Sequence, residues 1–113
     1  MVTHHASRRQ ADLGEVLKAV ADPSRRRILD LLAQEELAVG RIADRFGISR
    51  PAVVKHLRVL RSANLISVRQ SGRERIQCLN PVPLKKVDAW LARFEAFWDG
   101  SLQRLKRQLE NEP

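Results

Sequence analysis

The chain holds a single cysteine, Cys78, among its 113 residues, so no disulfide can close within it and a reducing compartment fits the composition. Hydrophobic runs are short as well. None exceeds four residues, and the opening segment MVTHHASRRQ has no apolar stretch of the signal-peptide kind. Neither membrane insertion nor export is expected, and a cytoplasmic, nucleoid-associated location is. Aromatics are few: no tyrosine, two tryptophans and three phenylalanines. Catalytic constellations are missing too, with no paired carboxylates, no nucleophile beside a base and an orienting group, and no glycine-rich phosphate loop, so an enzyme is not expected. No internal repeat or low-complexity segment breaks the chain.

What is present is apolar content enough for one modest core, 43%, together with a charge that is unevenly spread. Residues 1–38 hold six basic and six acidic side chains, residues 39–80 nine and two, and residues 81–113 six and five, so the net +8 sits almost wholly in the central segment. That is the pattern of a region facing a polyanion, although a solvated basic face would share it.

The central segment opens with VGRIADRFGISRPAVVKHLRVL, residues 39–60, whose spacing predicts helix, tight turn, helix. Val39, Ile42, Ala43 and Phe46 share one helical face, Gly47 supplies the positive φ of a sharp turn, and Ser49 is placed to cap the next helix. Ile48 and Val53 are spaced as a hydrophobic staple, and Pro51 falls in the first turn, where its missing N–H costs no intrahelical bond. Val53, Leu57 and Leu60 form the buried side, which leaves Arg50, Lys55, Arg58 and Arg61 facing outward. A short helix followed by a cationic one is a DNA-binding helix-turn-helix pattern. On that reading Ser49, Arg50 and Pro51 meet the duplex at the helix N-terminus, with Val54, Lys55 and Arg58 along the major groove. His56 reads as a packing residue.

Around this segment the chain reads as mainly α. Residues 1–12, with His4, His5, Arg8 and Arg9, show no apolar periodicity and read as a flexible arm. Leu13, Val16, Leu17 and Val20 give a first helix, and Asp22-Pro23 opens a second through about Gln34, with Ile28, Leu29, Leu31 and Leu32 on its apolar side. Arg25, Arg26 and Arg27 lie near the N-terminus of that helix, unfavourably for cations, so a compensating partner is expected, acidic side chains in preference to phosphate. After Asn64, suited to a left-handed helix end, LISVRQ, Ser71-Gly72 and RERIQCLN predict a small β-hairpin. Arg69, Arg73 and Arg75 cluster toward its tip, as in the wing of a winged helix, or else only keep an edge strand soluble. Cys78 reads as a small buried filler, with a redox role, favoured by its nearness in sequence to Arg73 and Arg75, left open.

Asn80-Pro81-Val82-Pro83 is a break. From there Leu84, Val87, Leu91, Phe94, Trp98, Leu102, Leu105 and Leu109 recur every three or four residues, predicting one long helix over 84–109 that Gly100 could weaken, before a short tail at 110–113. Its stripe, widened by Trp90 and Phe97, is broader than a terminal helix of a small monomer needs, so a dimer interface is expected. The interface set is Leu13, Val16 and Leu17 from the first helix with Leu84, Val87, Leu91, Phe94, Trp98, Leu102 and Leu105 from the last.

Three stretches together carry a family resemblance: AVADPSRRRILDLL, LAVGRIADRFGISRPAVVKHLRVLRSANLI and the hairpin. The chain resembles transcriptional regulators of the ArsR family, and VDAWLARFEAFWDGSL is similar to the last helix of a metal-independent subgroup. The resemblance implies a single winged helix-turn-helix domain over residues 13–109, dimerised through its first and last helices. It also implies a bacterial repressor that seats the helix beginning near Ser49 in the major groove of an inverted-repeat operator. Two departures stand out. Ala38 and Gly40 occupy the positions where metal-sensing members place cysteines, and no histidine follows His56, so no metal or other cofactor is expected. Val54 stands where many relatives carry serine, exchanging a polar contact for a methyl that could meet thymine. The expected partners are double-stranded DNA and a second copy, with a small-molecule effector of unidentified class left open. The competing reading is a winged helix that binds RNA or a protein through the same basic face.

Overall fold

The computed structural model describes residues 10–111. Helix α1 spans Leu13–Ala21, α2 Pro23–Gln34, α3 Val39–Phe46 and α4 Arg50–Ser62; strands β2 (Ile66–Ser71) and β3 (Glu74–Leu79) follow, then α5 (Leu84–Ala92) and α6 (Glu95–Asn111). A two-residue strand, β1 (Leu37–Ala38), adds to β3 and makes a three-stranded antiparallel sheet in the order β1-β3-β2. Sequence reading anticipates only the hairpin, because two residues carry no detectable periodicity. The mainly α fold with its hairpin is that of a winged helix-turn-helix.

Each boundary has a local cause. Asp12 caps α1 with a full capping box: its side chain accepts from the Glu15 N–H at 2.8 Å, and Glu15 reaches back to the Asp12 N–H. Ala11 is already buried in the core, so the expected arm over 1–12 ends before it; His4, His5, Arg8 and Arg9 lie outside the described residues. Asp22 ends α1 and caps α2 through the Arg25 N–H, with Pro23 in the first turn. Gly47 closes α3 at φ 63°, Ser49 caps α4 by accepting from the Ala52 N–H at 3.2 Å, and Asn64 takes φ 60° just after α4. The hairpin turn is Gly72-Arg73, one residue later than expected, since Ser71 still pairs with Glu74; positive φ at Gly72 opens it.

The core gathers Val16, Ile28, Ile42, Val53, Leu57, Leu60, Leu65 and Ile66 from α1 to α4 and the sheet. Three expectations give way here. Arg25 and Arg26 form no ion pair among the described residues, although the Arg25 charge acts on the Asp22 carboxyl; Arg25 donates to the Ala19 and Lys18 carbonyls, and Arg26 to those of Val20 and Ala21. The cations that α2 disfavours at its own N-terminus thus satisfy the free carbonyls at the C-terminus of α1. Arg27 instead lies over the Phe46 ring at 4.8 Å. Val16, placed above in the dimer interface, is fully buried in its own protomer and has no surface to offer a partner.

The last helix is two helices. The Arg93 N–H bonds the Trp90 carbonyl and the Phe94 N–H the Leu91 carbonyl, three residues back in each case, and this tight turn separates α5 from α6 without glycine or proline. Gly100 lies inside α6, which runs without interruption to Asn111, so the segment read as a tail begins inside a helix. Leu84 and Val87 of α5 pack on the core, whereas α6 buries none of its residues. The radius of gyration is 19.1 Å, well above the roughly 13 Å of a compact chain of this size, because the molecule extends over 66 Å along one axis. No helix among the described residues is long and apolar enough to cross a membrane.

Candidate nucleic-acid interface

Helix α4 is divided cleanly by burial. Val53, Leu57 and Leu60 face the core, while Ser49, Arg50, Pro51, Val54, Lys55, Arg58 and Arg61 are exposed on the other side. Among the described residues none of Arg50, Lys55, Arg58 and Arg61 forms an ion pair; the pairs that do form are Arg45–Glu35, Arg69–Glu36, Lys106–Glu110 and the contact of His56 with Asp22. Such a row of cations gives this face of α4 a positive potential that attracts anions. Val54 is 39% exposed in that row and presents methyl groups among the charges.

Arg50 has a defined place. A Cβ added to Gly40 would stand 2.6 Å from Arg50 Nη2, so the guanidinium lies across the first turn of α3. Glycine at position 40 therefore makes room for a cation of the outward row. Among the described residues no three of His, Cys, Asp and Glu come together as metal ligands.

The sheet separates the three hairpin arginines. Arg75 shares its face with Gln77, Val68 and Leu37, on the side of α4, and lines a cleft there with Arg58 and Arg61. Arg69 points from the opposite face and donates to Glu36 Oε1 from both Nε (3.2 Å) and Nη2 (3.0 Å). Arg73 occupies the exposed turn itself. Only Arg73 and Arg75 thus remain uncommitted, while Arg69 ties the hairpin to the segment before β1. The Cys78 thiol and the Arg69 guanidinium hold the Glu36 carboxyl below its ordinary range. Burial, reinforced by the Glu36 carboxylate, pushes the Cys78 thiol up, which makes it a poor nucleophile.

His56 faces α2 rather than the outward row, with Nδ1 3.9 Å from Asp22 Oδ2. The Asp22 carboxyl is held below its ordinary value first by the Arg25 N–H and also by the nearby Arg25 guanidinium and the His56 ring. One buried residue escaped the sequence reading: Gln77 is 1% exposed, and its Oε1 has no hydrogen-bond partner among the described residues. A glutamine inside a strand pattern gives no sign of this by itself. Because a buried unmatched acceptor carries a desolvation cost of about 1–3 kcal/mol, Gln77→Leu is expected to raise the unfolding free energy by about 1 kcal/mol. Urea denaturation reads this directly, and a lower midpoint would show that the amide has a partner in solution.

A sequence-family profile described as "Bacterial regulatory protein, arsR family" matches residues 22–68, which span α2 through the start of β2. The transcriptional repressor SdpR of Bacillus subtilis is 38% identical over 73% of this chain and 91% of its own length. The chain belongs to the ArsR family. It is accordingly a DNA-binding transcriptional regulator and not an enzyme. Solved ArsR-like structures agree with the fold. An ArsR-like transcriptional regulator from Rhodococcus sp. RHA1 superposes with a TM-score of 0.68 at 31% identity, covering 88% of this chain and 94% of that one. A fragment from Mycobacterium bovis described as a homodimeric winged helix-turn-helix DNA-binding domain gives 0.61 at 29% identity, over 74% and 80% of the two chains.

Proposed function

We propose that this ArsR-family protein is a metal-independent repressor that works in the cytoplasm and binds an inverted-repeat operator as a homodimer. The observation that carries the reading is the outward face of α4, where Arg50, Lys55 and Arg58 stand unpaired opposite the buried Val53, Leu57 and Leu60. Ser49, Arg50 and Pro51 meet the duplex at the N-terminus of α4, with Val54, Lys55 and Arg58 along the major groove. Arg73 and Arg75 flank the groove as the wing. Arg69 braces the hairpin through Glu36 and supports the wing without reading DNA. Dimerisation uses the exposed stripe Leu91, Phe94, Trp98, Leu102 and Leu105, with Leu13, Leu17, Leu84 and Val87 at its base, and its two-fold axis imposes the inverted repeat on the operator. The homodimeric state of the similar Mycobacterium bovis domain supports a dimer.

Base readers and phosphate anchors differ in what their loss does. Duplexes selected from a random pool supply the operator, and fluorescence anisotropy then compares it with random DNA at several salt concentrations. Arg50→Ala is expected to cost about 1–3 kcal/mol on the operator and less on random DNA. Arg73→Ala is expected to weaken both alike and to reduce the salt slope by about 1. Equal losses on both duplexes for both variants would remove the distinction, and failure to enrich any repeat would remove the operator. Tighter binding to structured RNA than to duplex would favour an RNA-binding module instead.

A further inference from the structure

Two clefts share a pair of arginines. The larger, of about 720 Å³, lies between the C-terminal end of α4, the edge strand β2 and the start of α5; Arg61, Arg75, Lys86 and Asn80 line it with Val68 and Val82. The smaller, of about 260 Å³, lies between α4 and β3 and takes in Val54, Arg58, Arg61 and Arg75. Arg61 and Arg75 therefore form part of the wall of both.

The larger cleft has three cations, Arg61, Arg75 and Lys86, and no acidic residue in its described lining. Arg61, Arg75 and Lys86 form no ion pair among the described residues, although Lys86 is half-buried in the first turn of α5. Cations gathered in one cleft without a carboxylate among them attract an anion together. Val68, Val82 and Pro83 supply an apolar wall, and the volume lies within the range of small-molecule sites. We propose that this cleft, within one protomer, binds a small organic anion: a carboxylate or phosphate headgroup held by Arg61, Arg75 and Lys86, with an apolar body against Val68 and Val82.

The shared arginines give the site a consequence. A guanidinium that pairs with an anion in the larger cleft is withdrawn from the smaller one, which opens beside Val54 and Arg58 on the outward face of α4. Anion binding and duplex binding then compete for Arg61 and Arg75, and by linkage each weakens the other. This coupling rests on the reading of α4 as the DNA face; the anion site does not.

The test uses the full chain at fixed ionic strength, titrated by calorimetry with octanoate and octyl phosphate, and with octanamide as the uncharged counterpart. At least one of the two anions is expected to bind saturably, and the difference between them identifies the headgroup, whereas octanamide is expected not to bind. Lys86→Met is expected to weaken the anion about tenfold or more, as loss of a charge-assisted contact does, while duplex affinity is retained because Lys86 lines only the larger cleft. At an anion concentration near the wild-type dissociation constant, operator binding is expected to weaken in the wild type and to change much less in Lys86→Met. Absence of saturable anion binding, octanamide binding as tightly as octanoate, or unchanged anion affinity in Lys86→Met would each overturn the site. Anion binding with unaltered operator affinity would overturn the coupling. A chain that binds the anion and no duplex would refute the DNA face and leave the site standing.

Discussion

Trp98→Asp combined with Leu102→Asp is expected to leave the protein monomeric and to lower its affinity for an inverted-repeat duplex by about 100-fold or more, the scale lost when two linked reading heads become independent. Both side chains are large and more than half exposed, Trp98 at 56% and Leu102 at 57%, and α6 buries none of its residues in the protomer. Their removal therefore takes nothing from the core. Leu91, Phe94, Leu105 and Leu109 continue the same stripe, also exposed, so the apolar area open to a second copy is far beyond what a solvent-facing helix carries. Two carboxylates at its centre would each have to be desolvated without a partner for the dimer to close. Sedimentation equilibrium reads the mass, and circular dichroism checks that the protomer stays folded. A double variant that keeps the dimer mass would remove the last helix from the interface.

Leu60→Ala is expected to cost about 2–5 kcal/mol, the range for emptying a well-packed leucine site. Leu60 is fully buried in the core cluster that also holds Ile28, Ile42, Val53 and Leu65, from α2, α3, α4 and the segment before β2. Against a total stability of about 5–15 kcal/mol, such a loss lowers Tm by many degrees and can leave a mostly unfolded chain. Lys55→Ala, on the outward side of the same helix, is expected to stay within about 0.5 kcal/mol of the wild type while losing duplex affinity. Chemical denaturation of both variants beside duplex titration of Lys55→Ala separates the two sides of α4. Comparable stability losses would mean that the helix is not divided as its burial pattern indicates.

Much of the helix-turn-helix was legible because its determinants are local. A capping serine, a glycine needing positive φ and apolar residues three or four apart act within a few residues, so Ser49, Gly47 and Val53-Leu57-Leu60 stand where their spacing places them. The hairpin was legible for the same reason, to within one residue of its turn. Other features depend on partners distant in sequence. Strand β1 exists because Leu37 and Ala38 find Gln77 and Ile76 about forty residues on. Arg69 reads from sequence as a wing cation, yet Glu36 claims it from 33 residues away. Arg25 and Arg26 gave a correct sign of trouble at a helix N-terminus, but their remedy, the carbonyl end of α1, required the angle between two helices.

By itself the sequence determined the helix-turn-helix, the cationic row on α4 and the apolar stripe beyond Leu84, since each is a periodicity that one element imposes on its own residues. Tertiary structure alone decided which of those residues are free to act. It buried Val16, committed Arg69, laid Arg50 over Gly40, and placed Arg61 and Arg75 in the walls of two clefts. The physical reason is that exposure and pairing belong to the space between elements, and no spacing along the chain encodes which side chains will meet there.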